Sequence, residues 1–586
     1  MCGIFGYIGK QDTAAELVLD GLKLLEYRGY DSWGVAVKVG KEISIDKHVG
    51  KIGNATVNLP KSNLGIGHTR WATHGGVTRE NSHPHLDCTK KLALIHNGIV
   101  ENYQILKEEL LKKDHVFVSE TDTEVIVHLI EENIKTNDFS TAVRISFNRL
   151  DGLNAIVIAN ADSKEIIAAK NGSPLVVGEK DGDFYLASDF SGIVKHTTSV
   201  LFLKDNEMVI LGDGIQLLSL STGEKIVPEF EVIDWKVEDV DKGEHEHFMI
   251  KEIYDQAKVI TNIANTYTES IEELAEVMRN AVGTFFIGAG TAFHACLVGV
   301  YLFSKIAKKH INTSVASEFN YLEDFLTDKS LIMAFSQSGE TIDVIEPLSR
   351  AKEKGSKIVA ITNVLGSSIY RMAHHKLLLG AGPEKAVAST KAYIAKLSIV
   401  IMLAYGIQKE TKKAKELLLH AAKEVDRLLE KEQVDHIKKL SSIFKNAKNM
   451  YVIGRGVSYP SALEAALKIK EVSYIHTEGL AGGELKHGTI ALISKGTPCI
   501  VFAPNDETYS AMISNATEIR SRGGVIIGVS HKNAEVFDHF IEVKDMGEAT
   551  VVAQIIPIQL FSYFLAIDNN CDPDKPRNLA KSVTVK

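Results

Sequence analysis

Three things are scarce in this 586-residue chain. Its five cysteines (Cys2, Cys88, Cys296, Cys499 and Cys571) are far apart, odd in number and without a CxxC pair. That excludes a disulfide-stapled fold, offers no thiolate metal cage, and fits a reducing cytoplasm. Basic charge is not in excess: 66 Lys and Arg stand against 75 Asp and Glu, a net charge of -9, so there is no footprint for a nucleic-acid backbone. Uninterrupted apolar runs are missing too. The N-terminus lacks a basic-then-apolar leader pattern, and the longest candidate, VVAQIIPIQLFSYFLAI from 551 to 567, is broken by Gln554, Pro557 and Gln559. It is expected to be a buried helix, with no membrane partner.

What is present is globular: 45% hydrophobic and 24% charged residues. The length exceeds what one core sustains and predicts three or four domains. Up to about residue 240, short alternating runs such as KKLALIHNG and FYLASD predict strands, with a few amphipathic helices such as TAAELVLDGLKLLEYRG and DTEVIVHLIEEN, an α+β layered domain. VEDVDKGEHEH, 237 to 247, is dense in charge and reads as a linker. Beyond it the texture becomes apolar strand, glycine turn, long helix, repeated, the pattern of doubly wound parallel sheets.

That second part is duplicated. FFIGAGTAFHA, from Phe285, aligns with YVIGRGVSYPSA, from Tyr451, matching Gly288 and Gly290 to Gly454 and Gly456 at a separation of 166. MAFSQSGETIDVI aligns with VFAPNDETYSAMI at a separation of 167. Each copy is domain-sized, so the repeat is a duplicated α/β domain and not a solenoid. The segments drawn from this are 2–238, a linker 239–248, copies 249–424 and 425–570, and a tail 571–586.

SQSGET, 336 to 341, lies between an apolar strand and a helix that begins near Thr341. Such a loop aims backbone N–H groups and a helix N-terminus at an anion, with Ser336, Gln337, Ser338 and Thr341 adding side-chain donors. It has no lysine of the GK[ST] kind, so a singly phosphorylated small molecule fits better than a nucleoside triphosphate. GAGTAF, containing Thr291, lacks the third glycine of a dinucleotide fingerprint and reads as the other wall of the same pocket, with no nicotinamide or flavin cofactor. The second copy has APNDET instead, where Asp506 repels a phosphate. There, Lys468 and Glu471 share one helix face, and GGELKHG supplies His487. A solvated i,i+3 ion pair is the plain reading of the first two. A lysine, a carboxylate and a histidine near a sugar phosphate also suit proton transfer beside a carbonyl.

Taken in order, CGIFGYIG, YRGYDS, HTRWATHG, HNGIVENY, SETDTE, SQSGET, VASTKAY, ELKHG and NLAKSVTV closely resemble the isomerising glutamine:fructose-6-phosphate aminotransferases over essentially the whole chain. The resemblance implies an N-terminal-nucleophile αββα glutaminase domain followed by two sugar-isomerase (SIS) domains. Met1 is then removed, and Cys2 attacks glutamine with its own α-amino group as base. Thiol and α-amino pKa values near about 8.5 and about 7.7–8.0 make that proton exchange nearly isoenergetic. By resemblance, Asn97 and Gly98 form the oxyanion hole, and Arg70 and Asp122 grip the α-carboxylate and α-ammonium. Thr73, His74 and His83 shape the pocket, and Trp71 gates the passage of ammonia. On the sugar side, Ser336, Gln337, Ser338 and Thr341 hold the phosphate of fructose 6-phosphate, with Val387, Ala388 and Ser389 near the sugar. His487 opens the ring, Lys581 forms an imine with the ketose, Glu471 carries the proton from C1 to C2, and Lys468 stabilises charge beside it. No cofactor or metal is implied. The working form is a cytoplasmic homodimer with His487 donated across the interface.

Three positions depart from the family pattern: Ala292 where serine is common, Trp33 where alanine is usual, and Thr489 where proline is usual. The histidine pairs at 83 and 85 and at 245 and 247 lack a third ligand at metal spacing and are expected to be structural. Cys88, Cys296, Cys499 and Cys571 are expected to be packing residues. Two rivals stand beside this reading: another amidotransferase of the same nucleophile class, and a sugar-phosphate sensor without catalysis.

Overall fold

The computed structural model describes residues 2–233 and 241–583. Their contacts divide the chain into two compact units, Met1–Asp241 with Ala580–Lys586, and Lys242–Leu579. Met1, the expected border at 238/239, the linker up to 240 and the last three residues of the tail lie outside the described residues.

Alternation of apolar and polar residues builds the first unit. Gly3–Ile8 pairs antiparallel with Leu64–Arg70 on one side and Asp183–Ala187 on the other, at the middle of an eight-stranded sheet. Leu92–Gly98 and Asn154–Asn160 pair antiparallel within a seven-stranded sheet. Ile4, Ile8 and Ile66 of the first sheet meet Ile95, Val157 and Val209 of the second in a dry layer. The outer face of the second sheet packs Leu94, Ile156 and Ile158 against Val125, Ile126, Leu129 and Ile130 of the helix Glu124–Asn133. The helix Ala14–Leu25 covers the first sheet. The four layers are αββα, as expected. Trp33 sits in the strand Ser32–Val39, 3% exposed, and stacks on its cross-strand partner His48 at 4.5 Å, so this departure is accommodated as a packed aromatic pair.

The second unit contains two five-stranded sheets, parallel throughout. In the first, Gly283–Gly288 is flanked by Asn312–Val315 and Ser330–Ser336; in the second, Asn449–Gly454 is flanked by His476–Ala481 and Pro498–Ala503. Both therefore run in the spatial order second, first, third, fourth, fifth, the doubly wound pattern that puts a crevice beside the first strand, at the carboxyl ends. The helices after the two first strands, Thr291–Leu302 and Ser458–Ser473, pack on one another, and one apolar core runs through both copies. Lys391–Ile407 is apolar on every face and correspondingly buried.

The run from 551 to 567 forms Thr550–Ala553 and Ile556–Asp568, with Pro557 in the first turn of the second helix, where its missing N–H costs nothing. Gly547–Asp568 is long and apolar enough to span a membrane, yet 94% of its most apolar window is buried within the protein. The position 424/425 falls inside the unbroken helix Thr411–Leu428. Cys296 and Cys499 are buried as expected, and Cys571 is partly buried. Cys88 is not a packing residue: it is exposed, and its sulfur faces two histidines.

Candidate active sites

In the first unit the pairing of Gly3 with Thr69 brings the residues just beyond that pair, Cys2 on one strand and Arg70 and Trp71 on the other, out at one edge. Asn97 and Gly98 end a strand of the facing sheet, and 121–123 lead into the helix Glu124–Asn133. One cleft results, lined by Cys2, Arg70, Trp71, Thr73, His74, His83, Asn97, Gly98 and Asp122. Every residue expected to handle glutamine is there. His96, Thr121 and Thr123 also line it and were not expected.

Hydrogen bonds fix the polarity of this cleft. Nε2 of His68 lies 3.0 Å from the His96 carbonyl oxygen and 3.1 Å from Asn97 Oδ1, two acceptors, so the proton sits on Nε2. With its oxygen held, the Asn97 amide turns its nitrogen to the Cys2 carbonyl, 2.9 Å away, and one N–H is left for another acceptor. Burial holds His68 near a pKa of about 3 and His83 well below the usual range. Both are therefore neutral, and they stack 4.1 Å apart. His83 and His85 serve as hydrogen-bond partners of His96 N–H and Thr121 Oγ1. Gly98 has φ +132°, and a Cβ there would lie 2.2 Å from the Leu153 carbonyl oxygen, so only glycine fits.

The Trp71 N–H donates to Cys2 Sγ at 3.1 Å. Burial nevertheless pushes the Cys2 thiol above its ordinary range, against the pull of that N–H and of Arg70, so the resting sulfur keeps its proton and needs a base. Arg70 donates to the Gly75 and Gly76 carbonyls at 3.1 and 3.0 Å, and Asp31 accepts from the Ala72 N–H at 2.9 Å; together they fold the 71–76 loop over the cleft.

In the second unit, loops 288–290 and 336–341 leave the carboxyl ends of adjacent strands, at the switch point of the first sheet. Ser336 Oγ accepts from the Gly339 N–H at 3.0 Å and Ser338 Oγ from the Glu340 N–H at 3.2 Å, while Ser336 and Thr341 hydroxyls lie 3.3 Å apart. The helix Ile342–Glu353 starts directly behind. The fold thus gathers neutral donors and a helix N-terminus at one point. Ala292 is 7% exposed and belongs to the apolar core, so the serine hydroxyl that the family pattern has is replaced here by packing.

Lys468 is where the plain reading fails. It is 0% exposed. Its ammonium bonds Glu471, lies 3.4 Å from Glu464, and donates to Thr291 Oγ1 at 3.1 Å. Thr291 donates in turn to Glu464 at 3.1 Å, and His294 meets the other Glu464 oxygen at 2.7 Å. Burial alone would lower the lysine pKa, but Glu464 and Glu471 outweigh it and raise it, so the charge stays on. This is a desolvated charge network joining the helices that follow the first strand of each copy.

Glu384 is a further member that sequence reasoning missed. It accepts from Ser389 Oγ at 3.0 Å and from the Thr390 and Ala392 N–H groups at 2.9 and 3.0 Å, shaping the 387–392 loop that carries Val387, Ala388 and Ser389, and it adds to the field on Lys468. His487 ends a short helix, Glu484–His487, and is exposed, outside the buried cluster. Lys581 is partly buried and groups with the first unit. Nothing in the structure explains Thr489. His247 bonds the Tyr563 hydroxyl at 3.1 Å, and His245 lies against the Tyr254 ring, so this pair is structural.

Comparison with known proteins finds relatives of both units. Residues 68–195 match the model of a glutamine amidotransferase domain, and 277–405 and 443–541 match the SIS domain. The chain is 43% identical over 603 residues to a glutamine–fructose-6-phosphate aminotransferase [isomerizing] of Thermococcus kodakarensis, and 40% identical over 613 residues to one of Clostridium tetani, with all of each chain covered. Among solved structures, the C-terminal domain of glucosamine-fructose-6-phosphate aminotransferase from Francisella tularensis superposes with a TM-score of 0.54 at 31% identity, covering 57% of this chain and 99% of that one.

Proposed function

The chain belongs to the isomerising glutamine–fructose-6-phosphate aminotransferase family, and we propose that its two units divide that family's reaction between them. D-fructose 6-phosphate and L-glutamine become D-glucosamine 6-phosphate and L-glutamate, the entry of nitrogen into amino sugars. The observation that carries the assignment is the single cleft in which Cys2, the His68-oriented Asn97, Arg70 and Asp122 converge.

In the glutaminase half, residues 2–238, Cys2 gives its thiol proton to the α-amino group freed by loss of Met1. The sulfur attacks the glutamine amide carbon. The oxyanion is received by the Asn97 amide and the Gly98 N–H; one such donor is worth about 2.7–4 kcal/mol of barrier. Ammonia leaves with a proton, and water hydrolyses the thioester to glutamate. Arg70 and Asp122 orient the amino-acid end, Thr73, His74 and His83 close the pocket, and Trp71 controls where ammonia goes. Ammonia exposed to neutral water is protonated and inert, so its release has to be sheltered.

In the isomerase half, two SIS domains at 249–424 and 425–570 bind the sugar. Ser336, Gln337, Ser338 and Thr341 hold the phosphate, with Thr291, Val387, Ala388 and Ser389 around the sugar. Lys581 of the tail, 571–586, forms the imine, Glu471 moves the proton from C1 to C2, and Lys468 steadies the charge that develops. His487, exposed in this chain, opens the ring in the site of a second copy, so the working form is a cytoplasmic homodimer.

Replacing Cys2→Ala tests the reading. Glutamine hydrolysis should fall to background while formation of glucosamine 6-phosphate from fructose 6-phosphate and added ammonia persists. Glutamate release by the variant, or a purified active protein that still begins with methionine, would overturn it.

A further inference from the structure

The first unit holds a second convergence of reactive side chains, which the reaction above does not use. Cys88 lies in the turn between His85–Leu86 and Leu92–Gly98, His115 follows the helix Tyr103–Leu111, and His128 and Glu131 are one turn apart on Glu124–Asn133. Cys88 Sγ is 3.8 Å from His115 Nδ1 and 3.6 Å from His128 Nδ1. Glu131 Oε2 is 3.0 and 2.9 Å from the same two nitrogens. All four donor atoms lie within 4.8 Å of one another. No spacing in the sequence marks these four as a ligand set, yet three separate segments bring their donor atoms together.

Zinc–sulfur and zinc–nitrogen bonds of about 2.3 and about 2.0–2.1 Å at tetrahedral angles separate sulfur from nitrogen by about 3.6 Å, and nitrogen from oxygen by about 3.3 Å. The sulfur distances match. The carboxylate distances are a few tenths of an ångström short, a gap that rotation of one carboxylate closes. We propose that Cys88, His115, His128 and Glu131 bind a single zinc-type cation, held tetrahedrally by one sulfur, two imidazole nitrogens and one carboxylate oxygen.

The surroundings are those of a ligand set. Both histidines turn Nδ1 inward and Nε2 outward, and the outer nitrogens face carboxylates, Glu132 at 3.2 Å from His115 and Glu124 at 3.7 Å from His128. A carboxylate behind a ligating imidazole fixes its tautomer and strengthens it as a donor. The Val116 N–H points at the Cys88 sulfur at 3.4 Å, as it would at a thiolate. The histidines are buried, whereas Cys88 is exposed, leaving an entry path. Thiolate and imidazole select zinc over magnesium or calcium, and four protein ligands leave no open position, so the ion is structural. It ties the turn at 88 and the segment at 115 to the helix whose preceding residues, Thr121, Asp122 and Thr123, line the glutamine cleft.

The test uses the full-length protein, purified untagged and without chelator. Elemental analysis should find about one zinc per chain. After removal of zinc and addition of Co2+, visible bands of tetrahedral cobalt and a near-ultraviolet sulfur-to-cobalt band should appear, and the sulfur band should vanish in Cys88→Ser, which also loses most of its zinc. Wild-type protein stripped of metal should melt at lower temperature and recover with Zn2+. The competing arrangement, both imidazoles simply donating to Glu131, predicts otherwise. Wild-type protein that retains no zinc after exposure to excess Zn2+ and gel filtration, or a cobalt spectrum identical in wild type and Cys88→Ser, overturns the proposal.

Discussion

The two parallel sheets of the second unit have one strand order and opposite fates. In the first, the loop after the third strand carries only neutral hydroxyls, and Ser336 and Ser338 take up the Gly339 and Glu340 N–H groups. In the second, the corresponding loop is organised by a charge: Asp506 accepts from the Thr508 N–H at 2.8 Å and from its hydroxyl at 2.6 Å, so a carboxylate stands where the first copy has neutral serine hydroxyls. What the second copy contributes instead is its first helix. Glu464 and Lys468 reach from it to Thr291 and His294 of the first copy, and Glu471 bonds Lys468. Topology was kept through the duplication, while the loops and one helix face divided the work.

The largest test of that division is Lys468→Met. It strands the buried Glu464 carboxylate and the partly buried Glu471, and breaking a buried pair in this way costs about 3–5 kcal/mol. Calorimetry should show the isomerase unit melting lower, and ammonia-dependent product formation should fall by a factor of about 10²–10³ for loss of one charge-stabilising donor. Glutamine hydrolysis should be untouched. Normal sugar turnover in a folded variant would remove the second copy from the site.

A contrast of intermediate size comes from the two loops. Ser338→Ala should raise the KM for fructose 6-phosphate about tenfold, since one hydrogen bond to a charged group is worth about 1.5 kcal/mol. Thr508→Ala, in the acidic loop of the second copy, should leave that KM unchanged. Equal rises in both would break the comparison.

How much of this was legible in the sequence follows from how the groups are spaced. The fold classes came through because strand alternation and strand–turn–helix repetition are local. The cleft around Cys2 came through because its residues sit in short motifs at strand ends. The Lys468 cluster came through only in part: Glu464, Lys468 and Glu471 recur at helical spacing, which usually marks a wet face. The counter-signal lay in the residues around them, Ala462, Ala465, Ala466, Ile469 and Val472, all buried, which put Glu464 and Lys468 on the packed side of that helix. Cys88 and His115 join His128 and Glu131 only through sheet pairing and loop path, and no spacing records that.

The smallest expected effect is a pH dependence. Burial pushes the Glu464 carboxyl up, but Lys468, His294 and Thr291 outweigh it and leave it below the ordinary range. Below the unfolded pKa of about 4.3 the unfolded chain therefore binds more protons than the folded one. The stabilisation from Glu464 is fully present above that pH and is lost as pH falls. Acid titration of the isomerase unit's melting temperature should be shallower in Glu464→Gln than in wild type, and identical slopes would mean that the cross-copy network carries no titrating load.

The helix Ser458–Ser473 closes an option as well. A single copy excised from this chain would keep either the serine loop proposed to hold the phosphate or the ionised stripe of the other copy, never both, and would bare a long greasy seam to water. The two copies share one topology but are complementary halves, so change in one has to be tolerated by the other.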